Sequence, residues 1–481
     1  MARIFYAHLP LTRPHWLRNR IMNEFGSQLP TLCTAAPGPQ SQQWVERLAA
    51  VECPAITHRR HARKKVGVQD PIVWARAKGS NIEDADGNIF VDLSGAFAVT
   101  SVGHAHPKVV EAAQHQVATL IHAMGDLFPS REKVLLSERL ADIAPQGLQR
   151  SILAIGGSDA VEAALKTALI ATGRRRVLAF GGGYHGMSLG ALSVSGYRDS
   201  FRDPFVGHAG ASDLRLPYPG QPGSPFGDDA QRCLDYVDFL LGSDTSGSSS
   251  VAALIVEPIQ GRGGVIVPPP GFLRGLRELT RRHGVMLIFD EIYTGLGRTG
   301  AWFASAHEDV TPDLMAIGKS LAGGAPIGAC LGTDAAMEGW GRPEGEAIHT
   351  STFLGNPLVA SMALAVLDVL EEEALIERGR EEGRYALEFL QRELRGCARV
   401  REVRGAGMML GVELCDDEGQ RWAGGGVKAM SDLLSEGIIV APGGSFGEVI
   451  SLAPALNIRR EQLDVGLAAI VEWCRRGRAD G

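Results

Sequence analysis

A chain of 481 residues with 45% hydrophobic and 21% charged residues has the material for a large core, or for two or three domains, and is not a disordered polypeptide. Its formal net charge of −7 gives no basic footprint for nucleic acid, and no apolar run reaches the roughly twenty residues of a membrane span. Cysteines at 33, 53, 233, 330, 397, 415 and 474 are scattered without CxxC spacing. They argue against a zinc site or disulfide framework and for a reducing compartment. The N-terminus lacks the apolar core of a signal peptide, so a soluble, cytoplasmic protein is expected.

Residues 1–65 read as an appended arm, interrupted by Pro30, Pro37 and Pro39 and without a clean hydrophobic period. Trp16 and Trp44 point to some packing, across a subunit interface. The basic run Arg59-Arg60-His61-Ala62-Arg63-Lys64-Lys65 is the composition of a solvated face or linker. From Ile72 the pattern tightens into short strands with a turn at Asp86-Gly87. A glycine-containing loop ends in Gly103-His104-Ala105-His106-Pro107, where two histidines without carboxylate or cysteine companions fit a structural turn better than a metal site. A helix follows from Lys108 to Ala123.

Strands then alternate with helices. Ser151–Ile155 is a strand and Ser158–Ala171 a helix; Arg176–Phe180 is a strand ending in three glycines. Val251–Val256 is a strand tipped by Glu257, Gly271–His283 a helix and Val285–Phe289 a strand. Such alternation predicts a mainly parallel sheet buried on both faces, with ligands at the C-terminal ends of the strands. The polar stretch from Gly242 to Ser250 has the composition of a flexible surface loop. A long helical stretch from Ala360 to about Leu394 leads into a second lobe, with strands at Met408–Glu413 and Gly437–Ala441 and a closing helix from Arg460 to Trp473.

The chemistry concentrates between Val285 and Gly324. The strand there ends on Asp290 and Glu291, and Lys319 follows on a loop between Gly318 and Ser320, trailed by Gly323 and Gly324. A carboxylate delivered from a buried strand and a lysine on a glycine-loosened loop form the pair that pyridoxal phosphate needs. The lysine forms a Schiff base and the carboxylate keeps the pyridine nitrogen protonated. Alone, the pair fits a strand ending in exposed acids and an unrelated surface lysine equally well. Gly156-Gly157-Ser158 opens a helix directly after a strand, which makes an anion cradle of free N–H groups and a hydroxyl, or an ordinary N-cap completed by Glu162. Gly181-Gly-Gly-Tyr184-His185-Gly186 sets an aromatic ring on a flexible loop at the next strand end, suited to stacking on a planar ring or to a plain turn.

Taken together, these motifs resemble the class III (subgroup II) aminotransferases, the pyridoxal-phosphate enzymes that include ornithine, acetylornithine and 4-aminobutyrate aminotransferases. The resemblance spans about Gly79 to Trp473. It rests on GHAHP at 103–107, GGSDAVEAALKTA at 156–168, YHG at 184–186, VEPIQG at 256–261, FDEIYTGLGRTG at 289–300, GKSLAGG at 318–324 and HTSTFLGNPL at 349–358. It implies an α/β fold-type I subunit, with a large domain on a mainly parallel seven-stranded sheet plus a smaller α+β lobe. The expected boundaries are an arm at 1–65, the first part of the small lobe at 66–105, the cofactor domain at 106–358 and the C-terminal small domain at 359–481. A homodimer with its active site between subunits is also implied.

By resemblance, Lys319 is the Schiff-base lysine and mover of the Cα proton, Asp290 the pyridinium partner, and Tyr184 the stacking aromatic. Gly157 and Ser158 match the phosphate cradle, and Thr352 the phosphate-binding threonine supplied by the neighbouring subunit. Tyr293 stands where the family often has Gln beside the cofactor's 3′-oxygen, and His185 and Glu291 read as structural support.

The departures concern substrate. Ser451 stands where the family's amino-acid enzymes hold an α-carboxylate with arginine, and Phe97 and Met187 match the Tyr and Arg that hold a distal carboxylate. Without those partners a buried carboxylate would go unpaired, at a cost of several kcal/mol. Glu257, which can pair with the missing arginine, is either released to take part in catalysis and receive a substrate amine or hydroxyl, or paired with Arg262 or Arg298. The expectation is an ω-transaminase-type enzyme working by a ping-pong mechanism between a terminal or carboxylate-free amine or aldehyde and a keto acid. The alternatives are an aminotransferase for an ω-amino acid such as 4-aminobutyrate or acetylornithine, a racemase, aminomutase or decarboxylase on the same cofactor, and a non-catalytic binder that retention of Lys319 and Asp290 disfavours.

Overall fold

The structure, a computed structural model, describes residues 25–64, 68–208, 215–243, 245, 250–342, 345 and 347–476. Trp16 and most of the Gly242–Ser250 loop lie outside the described residues. Three sheets organise the chain. The first joins β1 (Trp74–Lys78), β2 (Asn81–Asp84) and β3 (Ile89–Asp92) as an antiparallel meander.

The central sheet takes β4 (Arg150–Ala154), β5 (Arg176–Phe180), β6 (Arg215–Leu216), β7 (Val251–Val256), β8 (Met286–Asp290), β9 (Leu314–Ile317) and β10 (Gly328–Gly332), in the order β4-β10-β9-β8-β7-β5-β6. Only β10 runs against its neighbours, so β4 points the same way as β9 and its C-terminal end lies on the same edge. The third sheet orders β11 (Val400–Ala406), β12 (Met409–Leu414), β15 (Val449–Leu452) and β14 (Ala441–Gly443), while β13 (Ile438–Ile439) pairs parallel with β3. An early and a late stretch of chain thus share one sheet.

The apolar runs of the central strands are buried on both faces. All six residues of β7 are buried, and its alternation divides them. Leu254 and Val256 share a core with Phe272 and Leu276 of the helix Phe272–Arg282, whereas Ala253 and Ile255 share one with Ala160, Ala163 and Ala164 of the helix Gly157–Thr172. Each of the larger ones, such as Leu254, Val256, Ile255 and Phe272, contributes about 1.5–3 kcal/mol when fully buried. The small residues on the second helix let it lie close to the sheet, which brings its N-terminus to the strand ends.

Two stretches differ from expectation. The described arm is helical at Pro39–Ala49 and Pro54–Lys64, and Leu32 and Ala36 pack with Ile82 and Phe90 on the first sheet. Trp44 is exposed, with Arg47 stacked on it at 4.2 Å. The long helix after Pro357 is two helices, Pro357–Glu372 and Leu375–Glu393. The break falls at Ala374, whose φ of +49° is left-handed, a conformation that ends a right-handed helix. Both halves have helical composition, so nothing in the residue types announces the break.

Candidate active site

The C-terminal edge of the central sheet collects Gly156–Ser158 after β4, Gly181–His185 after β5, Glu257 after β7, Asp290 at the end of β8, and Lys319 after β9. Open α/β sheets bind ligands at this edge.

Lys319 has φ +33° in a short turn that follows the extended Gly318. Its Nζ lies 4.3 Å from the centroid of the Tyr293 ring. Burial lowers its pKa from 10.5 to about 8, partly opposed by the carboxylates of Asp290 and Glu257, so a far larger share of the amine than in an ordinary lysine is in its neutral, nucleophilic form. The next residue fixes the lysine's backbone. Ser320 Oγ donates to the Ala98 carbonyl at 2.9 Å and lies 2.6 Å from Ser101 Oγ. Ser101 Oγ also accepts from the buried Arg298 guanidinium at 3.0 Å.

Asp290 is buried and accepts from the Ile292 N–H at 3.1 Å, while its Oδ2 is 2.8 Å from His185 Nδ1. His185 is also buried, and its Nε2 has no partner among the described residues. Glu257 takes a course different from both sequence alternatives. Its two oxygens accept the backbone N–H groups of Tyr184 at 2.8 Å and Gly261 at 2.9 Å, which makes it a brace for the Tyr184 loop. Arg298 donates instead to Ser101 and to the carbonyls of Met408 and Pro454, and Arg262 lies over the Tyr184 ring at 4.6 Å. Burial raises Glu257 to about 7, with the Asp290 charge adding to the shift and His185 and the two N–H donors opposing it. Glu291 is braced likewise by Thr294, Ala304 N and Ser305 N.

The helix Gly157–Thr172 starts without a side-chain cap, so its first N–H groups are free to face an anion. A Cβ on Gly157 would come within 2.9 Å of Ile292 Cδ1, and one on Gly186 within 2.3 Å of Ser158 Oγ. Gly318 meets Gly157, the position of an added Cβ lying 3.4 Å from Gly157 Cα. Ser158 Oγ accepts from the N–H groups of Met187 and Ser188 and lies 2.7 Å from Ser188 Oγ. A bare helix start beside a lysine, with a buried carboxylate one strand away, fits a group carrying a phosphate, a carbonyl carbon and a basic ring nitrogen.

The remaining residues lie further out. Met187 is exposed next to Ser158, and Phe97 is exposed in the turn Gly95–Ala98. Thr352 is exposed in the turn before the helix Pro357–Glu372. Ser451 is buried in β15, and its hydroxyl has no hydrogen-bond partner among the described residues. Nothing in the sequence marks Ser320 as the latch on the lysine loop or Ser188 as the partner of Ser158, because each is a lone serine before a leucine with no distinctive spacing. His104 and His106 bond to Asp92 and Glu373, each at 3.0 Å.

The class-III aminotransferase family matches residues 63–473. An alanine/serine racemase of Pyrococcus horikoshii is 33% identical over 457 residues, 92% of each chain. An acetylornithine aminotransferase of Corynebacterium efficiens is 42% identical over 353 residues, 72% of this chain and 80% of that protein. Among solved structures, an (S)-enantioselective omega-transaminase from Thermomicrobium roseum superposes with a TM-score of 0.80 at 28% identity, covering 91% of this chain and all of that one, 100%. With the seven-stranded sheet of fold-type I and a lysine, an aspartate and a bare helix start at its edge, the chain belongs to the class-III aminotransferases and depends on pyridoxal phosphate.

Proposed function

We propose that the protein is an aminotransferase of the ω-transaminase type, moving an amino group from a terminal or otherwise carboxylate-free amine to a keto acid, or in reverse from the aldehyde side, by a ping-pong mechanism. The observation that carries this is Ser451. A buried, unbonded hydroxyl stands where the resemblance expects an arginine, so an α-carboxylate seated there would lose a charge-assisted partner. Phe97 and Met187 add apolar surface in place of two further carboxylate contacts. Phe97 also lines a cavity of about 520 Å³ whose wall joins apolar side chains such as Trp74, Ile72 and Leu434 to the charged Arg59, Arg60 and Asp70.

Pyridoxal phosphate, when bound, supplies a carbonyl that accepts the amino group and a ring that withdraws electrons. In this reading Gly157, Ser158 and the free helix N–H groups hold the phosphate, joined by Thr352 of the partner subunit in a homodimer. Tyr184, braced by Glu257, stacks on the ring. Asp290, oriented by His185, keeps the ring nitrogen protonated. Tyr293 would offer its phenol to the cofactor's 3′-oxygen, and Lys319, beside the Tyr293 ring and with its pKa lowered, would take up and return the proton at the substrate's Cα. Glu257 then acts as a positioning residue. We place the enzyme in the cytoplasm, in keeping with its free cysteines.

The test is a panel of amine donors mixed with holoenzyme and followed by the cofactor's absorbance. Hydrophobic or polyamine donors that lack a carboxylate are expected to react faster than ornithine, acetylornithine or 4-aminobutyrate; the reverse order sinks the proposal. The racemase relative favours a second reading, amino-acid racemisation. Loss of optical activity from a single amino acid without keto acid would establish that instead.

A further inference from the structure

The keto acid needs a cation for its carboxylate, and Ser451 cannot supply one. Arg262 can. Its guanidinium lies over two aromatic rings, 4.6 Å from the centroid of Tyr184 and 5.0 Å from that of Tyr197. Among the described residues no carboxylate forms an ion pair with it. Tyr184 is the residue that Glu257 braces, so Arg262 stands directly beside the candidate site. Its charge also contributes to the lowered pKa of Lys319.

The loop that carries Arg262 packs against the strands that carry Ser451. The Arg262 carbonyl accepts the Gly444 N–H at 3.0 Å. A Cβ added to Gly443 would lie 3.6 Å from Gly264 Cα and 2.2 Å from Ser451 Oγ. The backbone that carries Arg262 thus packs beside the strands around Ser451.

Arg262 also opens onto a cavity of about 760 Å³ whose lining includes Arg59, Arg198 and Lys428. No Asp or Glu lines that cavity among the described residues, and Lys428 is the cation there that pairs with a neighbouring acid, Asp432. Arg198 lies over the Tyr197 ring at 5.1 Å, on the ring that Arg262 also covers, and its buried Nε has no partner. An acid-free, cation-lined chamber with donors left over is complementary to an anion.

We propose that Arg262 binds the carboxylate of the keto-acid substrate, with Arg198 behind it extending the site to the second carboxylate of a dicarboxylic acid. This rests on the aminotransferase reading and gives it a substrate class, favouring dicarboxylic over monocarboxylic keto acids. The contacts with Tyr184 and Tyr197, two rings set at 88° to each other, hold the guanidinium in the corner between them, so less side-chain freedom is lost on binding.

The test is calorimetric binding of glutarate, an unreactive dicarboxylate, to the holoenzyme. Arg262→Gln is expected to weaken glutarate about tenfold to a hundredfold, the loss typical of a charged partner. Arg262→Lys should recover part of that loss, and Arg198→Gln should weaken glutarate more than butyrate. In turnover, KM for a dicarboxylic keto acid should rise with the glutarate Kd while kcat changes less. Among the described residues Arg262 carries no ion pair and its side chain is exposed, so the substitution is expected to leave the fold intact. Wild-type glutarate affinity in Arg262→Gln, or no measurable glutarate binding by the wild type, overturns the inference. If glutarate binding depends on Arg262 but no keto acid is ever aminated, the inferred anion site stands and the aminotransferase reading fails.

Discussion

At the scale of single residues, Lys319 makes the sharpest quantitative statement. An ordinary lysine near 10.5 is neutral in only about one molecule in 300 at pH 8. Burial disfavours the cation and brings Lys319 to about 8, so half of the molecules carry the free amine at that pH. Because the shift is downward, the reactive form accumulates as pH rises through about 8 and then saturates. Cofactor uptake by the apoprotein, followed by absorbance after rapid mixing, should therefore climb with pH and level off above about 8; a rise continuing toward 10.5 would contradict the burial. Lys319 and Asp290 stood out in the sequence only in company with the other motifs, since a strand end with two acids and a glycine-flanked lysine fit a surface pair equally well. The role of Glu257 was not legible. Whether a carboxylate meets a guanidinium or two backbone N–H groups depends on the path of Gly181–Gly186, which no residue type specifies. Arg262 was invisible for a related reason: its partners are two rings, 78 and 65 positions earlier in the chain.

At the scale of elements, the turn before Ser101 deserves the closest energetic accounting. Gly95, Ala96, Phe97 and Ala98 have φ of +53°, +50°, +62° and +65°, one turn of left-handed helix in which three residues carry a Cβ. Each such residue costs roughly 1–2 kcal/mol. The compensation is Asp92. Its buried carboxylate accepts from Ser94 N, Ser94 Oγ, Gly95 N and Ala96 N, and lies 3.0 Å from His104 Nε2. Ser320 ties the end of the turn to the lysine loop. Two substitutions should act in opposite directions. Asp92→Ala strands several buried donors and should cost about 3–5 kcal/mol in chemical denaturation. Ala96→Gly keeps the backbone bond to Asp92 and relieves one left-handed residue, so it should stabilise by up to about 1 kcal/mol. Destabilisation by Ala96→Gly would mean the turn is not strained. Only Gly95 hinted at this conformation in the sequence, where the stretch reads as a glycine-containing loop. The strands of the central sheet, by contrast, were readable from unbroken apolar runs such as Val251–Val256. The reversed direction of β10 was not, since a run buried on both faces looks the same in either sense.

At the scale of the whole molecule, the site seen in one chain lacks the threonine that the resemblance assigns to a partner, and the surface around that threonine is apolar. Ile121, Met124, Leu127, Phe128, Ile348 and Phe353 are all exposed. Two of their segments are fastened together: His122 and Phe353 have ring centroids 5.4 Å apart, and Asn356 Nδ2 donates to the Ile121 carbonyl at 2.9 Å. We propose that these exposed apolar side chains form an association surface between two copies of the chain, with Thr352 beside Phe353 in it. Association through this face would bury the patch and carry Thr352 toward the other subunit's phosphate cradle. The prediction couples assembly to cofactor retention. Leu127→Glu with Phe128→Glu should convert a dimer to a monomer in sedimentation and weaken pyridoxal phosphate binding. Thr352→Ala should leave the dimer intact and weaken the cofactor about tenfold to a hundredfold, the worth of one hydrogen bond to a charged group. If the charged double variant still sediments as a dimer, the interface lies elsewhere. If its monomer holds the cofactor as tightly as the wild type, each subunit completes its own phosphate site, and the exposed Thr352 serves the surface and not the chemistry.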